Sequence, residues 1–220
     1  MKKAFIFDID GTLIDSNDYH AQAWEKAFRF CGFSVPIEKI RAQIGKGADQ
    51  LLPGFLNKTQ REKYGDKIGK LSGEIFRRNY LSQVRPFPKV RELFKAIRET
   101  GSRIALASSS KEKEVEEYKI IAQISDLVEQ TASADDAENS KPEPDIFHSA
   151  MSQLGNPPQE TVIVIGDSPY DAIAARRAGL ISVGVLCGGF AAEKLKAAGC
   201  HSIYESPEDL LVNFDRLMKI

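Results

Sequence analysis

Ala4-Phe5-Ile6-Phe7-Asp8-Ile9-Asp10-Gly11-Thr12 is the stretch that decides how this chain is read. Four apolar residues follow one another with no polar alternation, which suits a strand buried on both faces of a parallel sheet. The run then stops at two aspartates and a glycine. Residues two apart on an extended chain point the same way, so Asp8 and Asp10 present their carboxylates together. One carboxylate can then ligate a metal and attack in line while its neighbour donates or accepts a proton. A tight turn at Asp10-Gly11 is the structural alternative, and it is compatible with the chemical one.

Three more apolar runs follow, Ile104–Ala107, Val162–Ile165 and Ser182–Val185. Helical patterns separate them. Val90–Glu99 places Val90, Leu93, Phe94 and Ile97 on one face and stops before Gly101. Pro144 opens a second helix that reaches Leu154, and Pro169–Ala178 forms a third, with proline in its first turn. This alternation predicts a doubly wound, Rossmann-like α/β parallel sheet. The interval from Ser16 to Arg85 is too long for one crossover and reads as almost wholly helical, with helices expected over Tyr19–Phe30 and Thr59–Leu81. Pro86-Phe87-Pro88 breaks the pattern before the next α/β unit. The expected organisation is a core of residues 1–15 and 86–220 with an all-helical cap inserted at 16–85. In open α/β sheets ligands bind at the carboxyl ends of the strands, so the cap is expected over that edge.

The residues that follow the runs are chemically alike. Ser108, Ser109 and Ser110 follow the second, and Gly166-Asp167-Ser168-Pro169-Tyr170-Asp171 closes the third; Ser140-Lys141-Pro142 precedes the third. A parallel sheet brings these clusters to one edge. Four carboxylates gathered there are costly unless cations neutralise them. Mg²⁺ fits, because it is held by a few carboxylates together with substrate phosphate. Lys141 would offset charge on a transferring phosphoryl group. The Ser108 hydroxyl and the Ser109 backbone N–H are candidates for binding phosphate oxygens.

DxDGT, a serine after the second run, KPxP and GDSxxD stand here in the order and spacing of the haloacid dehalogenase (HAD) superfamily. The sequence resembles its phosphatase and β-phosphoglucomutase-like branch with a helical cap, over essentially the whole chain. The resemblance implies that Asp8 forms an aspartyl-phosphate and that Asp10 is the general acid/base. It gives Ser108 and Lys141 the roles of the second- and third-motif residues. It implies Mg²⁺ held by Asp8, the backbone carbonyl of Asp10 and Asp167, with Asp171 in support. Asp171 also fits a capping box with Ser168. Members that dehalogenate lack the second aspartate, so this chain looks like a phosphate-transferring member.

Weaker signals lie in the expected cap. Asp18-Tyr19-His20-Ala21-Gln22-Ala23-Trp24 resembles a segment in which the histidine lies near the cap–core hinge and positions the general acid; a surface histidine on a helix is the alternative. Trp24 reads as core. Ile44-Gly45-Lys46-Gly47-Ala48-Asp49 looks like the substrate-contacting cap loop, where Lys46 would meet a carboxylate, hydroxyl or phosphate. Gly11, Ser108, Ser109, Lys141, His20 and Lys46 are thus the expected substrate contacts. The mutase loop carries an arginine where Ala48 falls, and Arg77-Arg78 read as a solvated helix face.

The 220 residues suffice for one sizeable core with an inserted domain. A formal net charge of −1 provides no global field toward nucleic acid or anionic membrane. No stretch approaches the ~20 apolar residues of a membrane span. The apolar start meets Asp8 too early for a secretory h-region. Cys31, Cys187 and Cys200 form no CxxC pair and read as free thiols of a cytoplasmic protein. The expectation is a cytoplasmic Mg²⁺-dependent phosphatase of small phosphate monoesters, sugar phosphate or phosphoglycolate-like, acting as monomer or homodimer. The alternatives are a phosphosugar mutase and a catalytically silent binding protein on the same fold.

Overall fold

In the computed structural model, which describes residues 2–220, all four apolar runs are strands: β1 (Ala4–Phe7), β2 (Arg103–Ala107), β4 (Val162–Gly166) and β5 (Ile181–Val185). Two strands of three residues, β3 (Gln130–Ala132) and β6 (Ser202–Tyr204), complete the edges. The order is β3-β2-β1-β4-β5-β6, every pairing parallel. The strand order reverses at β1, the topological switch point outside which doubly wound sheets bind ligands.

The unbroken apolar runs divide their residues between two faces. Phe5, Phe7, Ile104, Leu106, Ile163 and Ile165 belong to one buried cluster. Ala4, Ile6, Ala105, Ala107, Val162 and Val164 belong to the other. Burial on both sides explains why the period of two is invisible in the sequence.

Between β1 and β2 the chain is helical: α1 (Asn17–Phe30), α2 (Ile37–Arg41), α3 (Ala48–Leu51) and α4 (Lys58–Asn79). Ala21, Trp24, Phe28, Ile40, Leu51 and Ile68 give these helices a core of their own. The departing and returning segments run side by side, with Asp15 N donating to Arg85 O at 2.9 Å and Phe87 N to Leu13 O at 2.9 Å. α4 is opened by an Asn57/Gln60 capping box. It carries interior glycines at 65, 69 and 73, each costing about 1 kcal/mol of helix stability relative to alanine.

The sheet is flanked by α5 (Val90–Glu99), α6 (Glu112–Ile121), α7 (Asp145–Gln153), α8 (Pro169–Arg177), α9 (Ala192–Ala198), α10 (Pro207–Val212) and α11 (Phe214–Leu217). Val90, Leu93, Phe94 and Ile97 of α5 are buried as their spacing requires. Among the described residues no helix is long and apolar enough to cross a membrane.

Candidate active site

Parallel register places Phe7 opposite Ile165, so the chain runs off β1 and β4 side by side. Asp8, Asp167 and Asp171 meet there, with one carboxylate oxygen from each within 4.8 Å of the others, and all three are buried. Thr12 Oγ1 donates to Asp8 Oδ2 at 3.1 Å and lies 3.3 Å from Asp167 Oδ1. Asn17 Nδ2 donates to Asp167 Oδ2 at 2.9 Å and to the Gly188 carbonyl at 3.1 Å.

Lys141, fully buried, brings the positive charge. Its ammonium donates to Asp8 Oδ1 at 2.6 Å and to the Ala107 carbonyl at 2.9 Å, and it forms an ion pair with Asp171 Oδ1 at 2.8 Å. Burial disfavours the ammonium, but the two carboxylates outweigh it and hold the lysine cationic. Burial pushes the Asp8 carboxyl up to about 7, with Lys141 opposing and Asp171 adding. Asp167 stands well above the usual carboxylate range, through burial and then the charges of Asp8 and Asp171. One ammonium therefore leaves the three acids under-compensated. Three buried, converging carboxylates with that deficit fit a hard divalent cation.

Asp10 turns away from this trio. Ser16 Oγ donates to its Oδ1 at 2.5 Å, His20 Nε2 lies 3.0 Å from the same oxygen, and Ser110 Oγ donates to Oδ2 at 3.3 Å. Burial would raise this carboxyl, but His20, Ser16 and Ser110 together hold it below its ordinary value. The His20 ring lies flat on Phe76, with centroids 3.8 Å apart, and its Nε2 is 3.4 Å from the Tyr118 hydroxyl. The two aspartates thus have separate environments, one shared with Lys141 and one with His20.

The other expected residues divide. Gly11 has φ +79°, and a Cβ there would come within 2.0 Å of Asn17 Nδ2 and 2.5 Å of Asp167 Oδ2, so only glycine fits. Ser108 is fully buried, and its Oγ accepts from Ser110 N at 3.1 Å. Ser109 Oγ donates to Gly45 O at 3.3 Å, across to the helical insertion. Asp171 Oδ2 accepts from Ser168 N and Oγ, so it caps α8 while its other oxygen meets Lys141. Lys46 donates to Gln43 at 2.6 Å and lies 4.5 Å over the Tyr170 ring.

Asp8, Asp10, His20, Lys46, Ser109 and Ser110 open onto a cavity of about 830 Å³ between the insertion and the sheet edge. Polar contacts join the insertion to the sheet edge: Tyr170 OH to Ala42 O at 2.6 Å, Ser140 N to Asp49 Oδ2 at 3.1 Å, and Arg41 to Gly188 O. Arg77 and Arg78 are exposed, as expected of a solvated helix face. Arg77 also lines the cavity and pairs with Glu114 of α6 at 2.9 Å.

Several residues escaped the sequence reading. Ser16 and Asn17 look like helix caps, but the Ser16 hydroxyl makes no cap bond and serves Asp10. Gly188 approaches the acids so closely that a Cβ would lie 1.8 Å from Asp167 Oδ2. The adjacent Gly188-Gly189 pair after the fourth run was the available signal.

Residues 2–179 match the family of haloacid dehalogenase-like hydrolases. The chain belongs to that family. A phosphoglycolate phosphatase from Vibrio vulnificus is 30% identical over 218 residues, covering 95% of this chain and 94% of that protein. The crystal structure of a hydrolase from Pseudomonas syringae, 27% identical, superposes with a TM-score of 0.89 over 98% of this chain and 99% of that one. A β-phosphoglucomutase from Clostridium difficile shares the fold, with a TM-score of 0.84 at 24% identity over 99% of this chain and 97% of that one. The chain is thus a hydrolase of the haloacid dehalogenase-like family, on the doubly wound α/β fold.

Proposed function

We propose that this hydrolase is a Mg²⁺-dependent, cytoplasmic phosphatase of small phosphate monoesters, working through an aspartyl-phosphate on Asp8. The observation that carries the reading is the division of labour between two aspartates two residues apart. Asp8 is paired with Lys141 beside Asp167 and Asp171, while Asp10 is held by His20, Ser16 and Ser110. The name of the Vibrio vulnificus relative supports it.

Asp8, the main-chain carbonyl of Asp10 and Asp167 would hold the cation, with Asp171 fixing Lys141 behind them. A bound Mg²⁺ supplies charge stabilisation to the phosphoryl oxygens. Asp8 attacks phosphorus in line, and the P–O bond to the leaving group breaks. Asp10 has to carry a proton to the leaving oxygen, although His20, Ser16 and Ser110 favour its carboxylate in the free site. Ionised by that transfer, it takes a proton from the water that then cleaves the aspartyl-phosphate. Lys141 stays between Asp8 and Asp171 and offsets the growing negative charge. Ser108 orders the loop that presents Ser109 and Ser110. Residues 16–85 act as a cap that excludes bulk water when closed and opens for release; its polar contacts with the core suit such motion.

A second reading, a phosphosugar mutase, is favoured by the His20–Asp10 pair and by Arg77 in the cavity. It is disfavoured by Ala48 in the loop and by Glu114, which takes up the Arg77 charge. The test is phosphate release from sugar phosphates, phosphoglycolate and nucleotides, with Mg²⁺ or with chelator, for wild type and Asp8→Asn. Mg²⁺-dependent release by wild type alone is expected. Equal release by Asp8→Asn would sink the covalent route, and isomer interconversion dependent on an added bisphosphate would establish the mutase.

A further inference from the structure

The three interior glycines of α4 lie on one row. Gly65, Gly69 and Gly73 recur every four residues, which places them one above another on the helix surface. All three line the cavity onto which Asp8 and Asp10 open. Nothing in the fold requires glycine at these positions. None has a positive φ, and a Cβ added at Gly65, Gly69 or Gly73 meets nothing nearer than 3.5, 3.7 and 3.8 Å respectively, ordinary contact distances. Alanine would fit at each, and it is the better helix former. The effect of the missing side chains is to leave this wall of the cavity at backbone level.

The space so kept is large. About 830 Å³ lies toward the upper end of the ~300–1,000 Å³ typical of small-molecule pockets. A two-carbon acid beside Asp8 would leave most of it to water. The lining is balanced in charge: apart from Asp8 and Asp10 it holds five acidic side chains and five Lys or Arg. Arg77 is already paired with Glu114. A leaving group with its own carboxylate or second phosphate calls for an excess of cations. Neutral hydroxyls, which both donate and accept, use a lining of both signs.

We infer that Gly65, Gly69 and Gly73 are the size-determining wall of the site, and that the leaving group is neutral, polyhydroxylated and about the size of a sugar. The chemistry of the reacting phosphate rests on the phosphatase reading above; the shape and charge of the pocket do not. The probes are glucose 6-phosphate and phosphoglycolate, with Mg²⁺, against wild type, Gly69→Ala and Gly69→Leu. Wild type is expected to have the higher kcat/KM for glucose 6-phosphate. Gly69→Leu is expected to lower the ratio of glucose 6-phosphate to phosphoglycolate kcat/KM by about tenfold or more, the scale on which a filled pocket discriminates. Gly69→Ala, which leaves more room, should raise Tm and lower that ratio less.

A wild type that prefers phosphoglycolate, or a ratio unchanged in Gly69→Leu, overturns the inference while the phosphatase reading stands. If wild type hydrolyses neither compound, calorimetry on Asp8→Asn with Mg²⁺ and glucose 6-phosphate decides. Binding that disappears in Asp8→Asn/Gly69→Leu supports the glycine wall although the phosphatase reading has failed. Absence of binding to Asp8→Asn overturns the inference.

Discussion

Lys141 Nζ lies 2.6 Å from Asp8 Oδ1, joining residues 133 positions apart in a place where neither side chain has appreciable access to solvent. The contact ties the end of β1 to the loop before α7. It also sets what each residue becomes when the other is removed.

Lys141→Met strands Asp8 and Asp171 without their cation. Truncating one partner of a buried pair costs about 3–5 kcal/mol. That loss of unfolding free energy is expected in urea titrations, together with loss of phosphate release. Asp8→Asn/Lys141→Met should recover part of the stability, because one stranded charge is gone; purely additive losses would contradict the coupling.

Gly188→Ala tests the close approach to Asp167. The new Cβ would lie within 1.8 Å of Asp167 Oδ2, so the carboxylate has to move. The expected result is a rise in the Mg²⁺ concentration needed for half-maximal activity, by ~10–100-fold on the scale of disturbed metal shells. Gly54→Ala, where an added Cβ meets nothing within 4 Å, is the control and should leave that concentration unchanged.

Asp10 and His20 separate chemistry from positioning. Under the proposed mechanism Asp10→Asn removes the proton carrier and should lower kcat by ~10²–10⁴-fold. His20→Ala removes one of three groups on Asp10 but not the carboxyl, so kcat should fall less, with KM nearly unchanged. Wild-type kcat in His20→Ala would show that the 3.0 Å contact does not matter to turnover.

The acid trio makes stability depend on pH and metal together. Burial raises the Asp8 carboxyl from 3.8 to about 7, against the opposition of Lys141. Between those values the native state holds more protons than the unfolded state, so this group's contribution declines as pH rises through the interval and levels off above it. Mg²⁺ at this site would bind the ionised carboxylates. Its addition to chelator-treated protein should therefore raise Tm more at about pH 7.5 than at about pH 5.5. The difference should shrink in Asp8→Asn; a shift equal at both pH values and in both proteins would refute the linkage.

The local chemistry of the chain was legible because it depends on neighbours in sequence. β1 coincides with the Ala4–Phe7 run, and α5 with Val90–Glu99, since buried runs and helical spacing are written in adjacent residues. The clustering of Asp8, Asp167 and Lys141 followed from the parallel sheet, which sends every strand's carboxyl end to one edge. β3 and β6 were not legible, because three-residue edge strands need no apolar run. Ser16 and Asn17 had the sequence of helix caps, yet the sheet edge beneath α1 offered them Asp10 and Asp167 instead. The sequence by itself determined the fold class and the candidate reacting groups, through hydrophobic pattern and motif spacing. Only the tertiary structure decided that Arg77 pairs with Glu114 in the cavity lining and that the glycines of α4 line it, because the rotation of a helix about its axis is set by what packs against it.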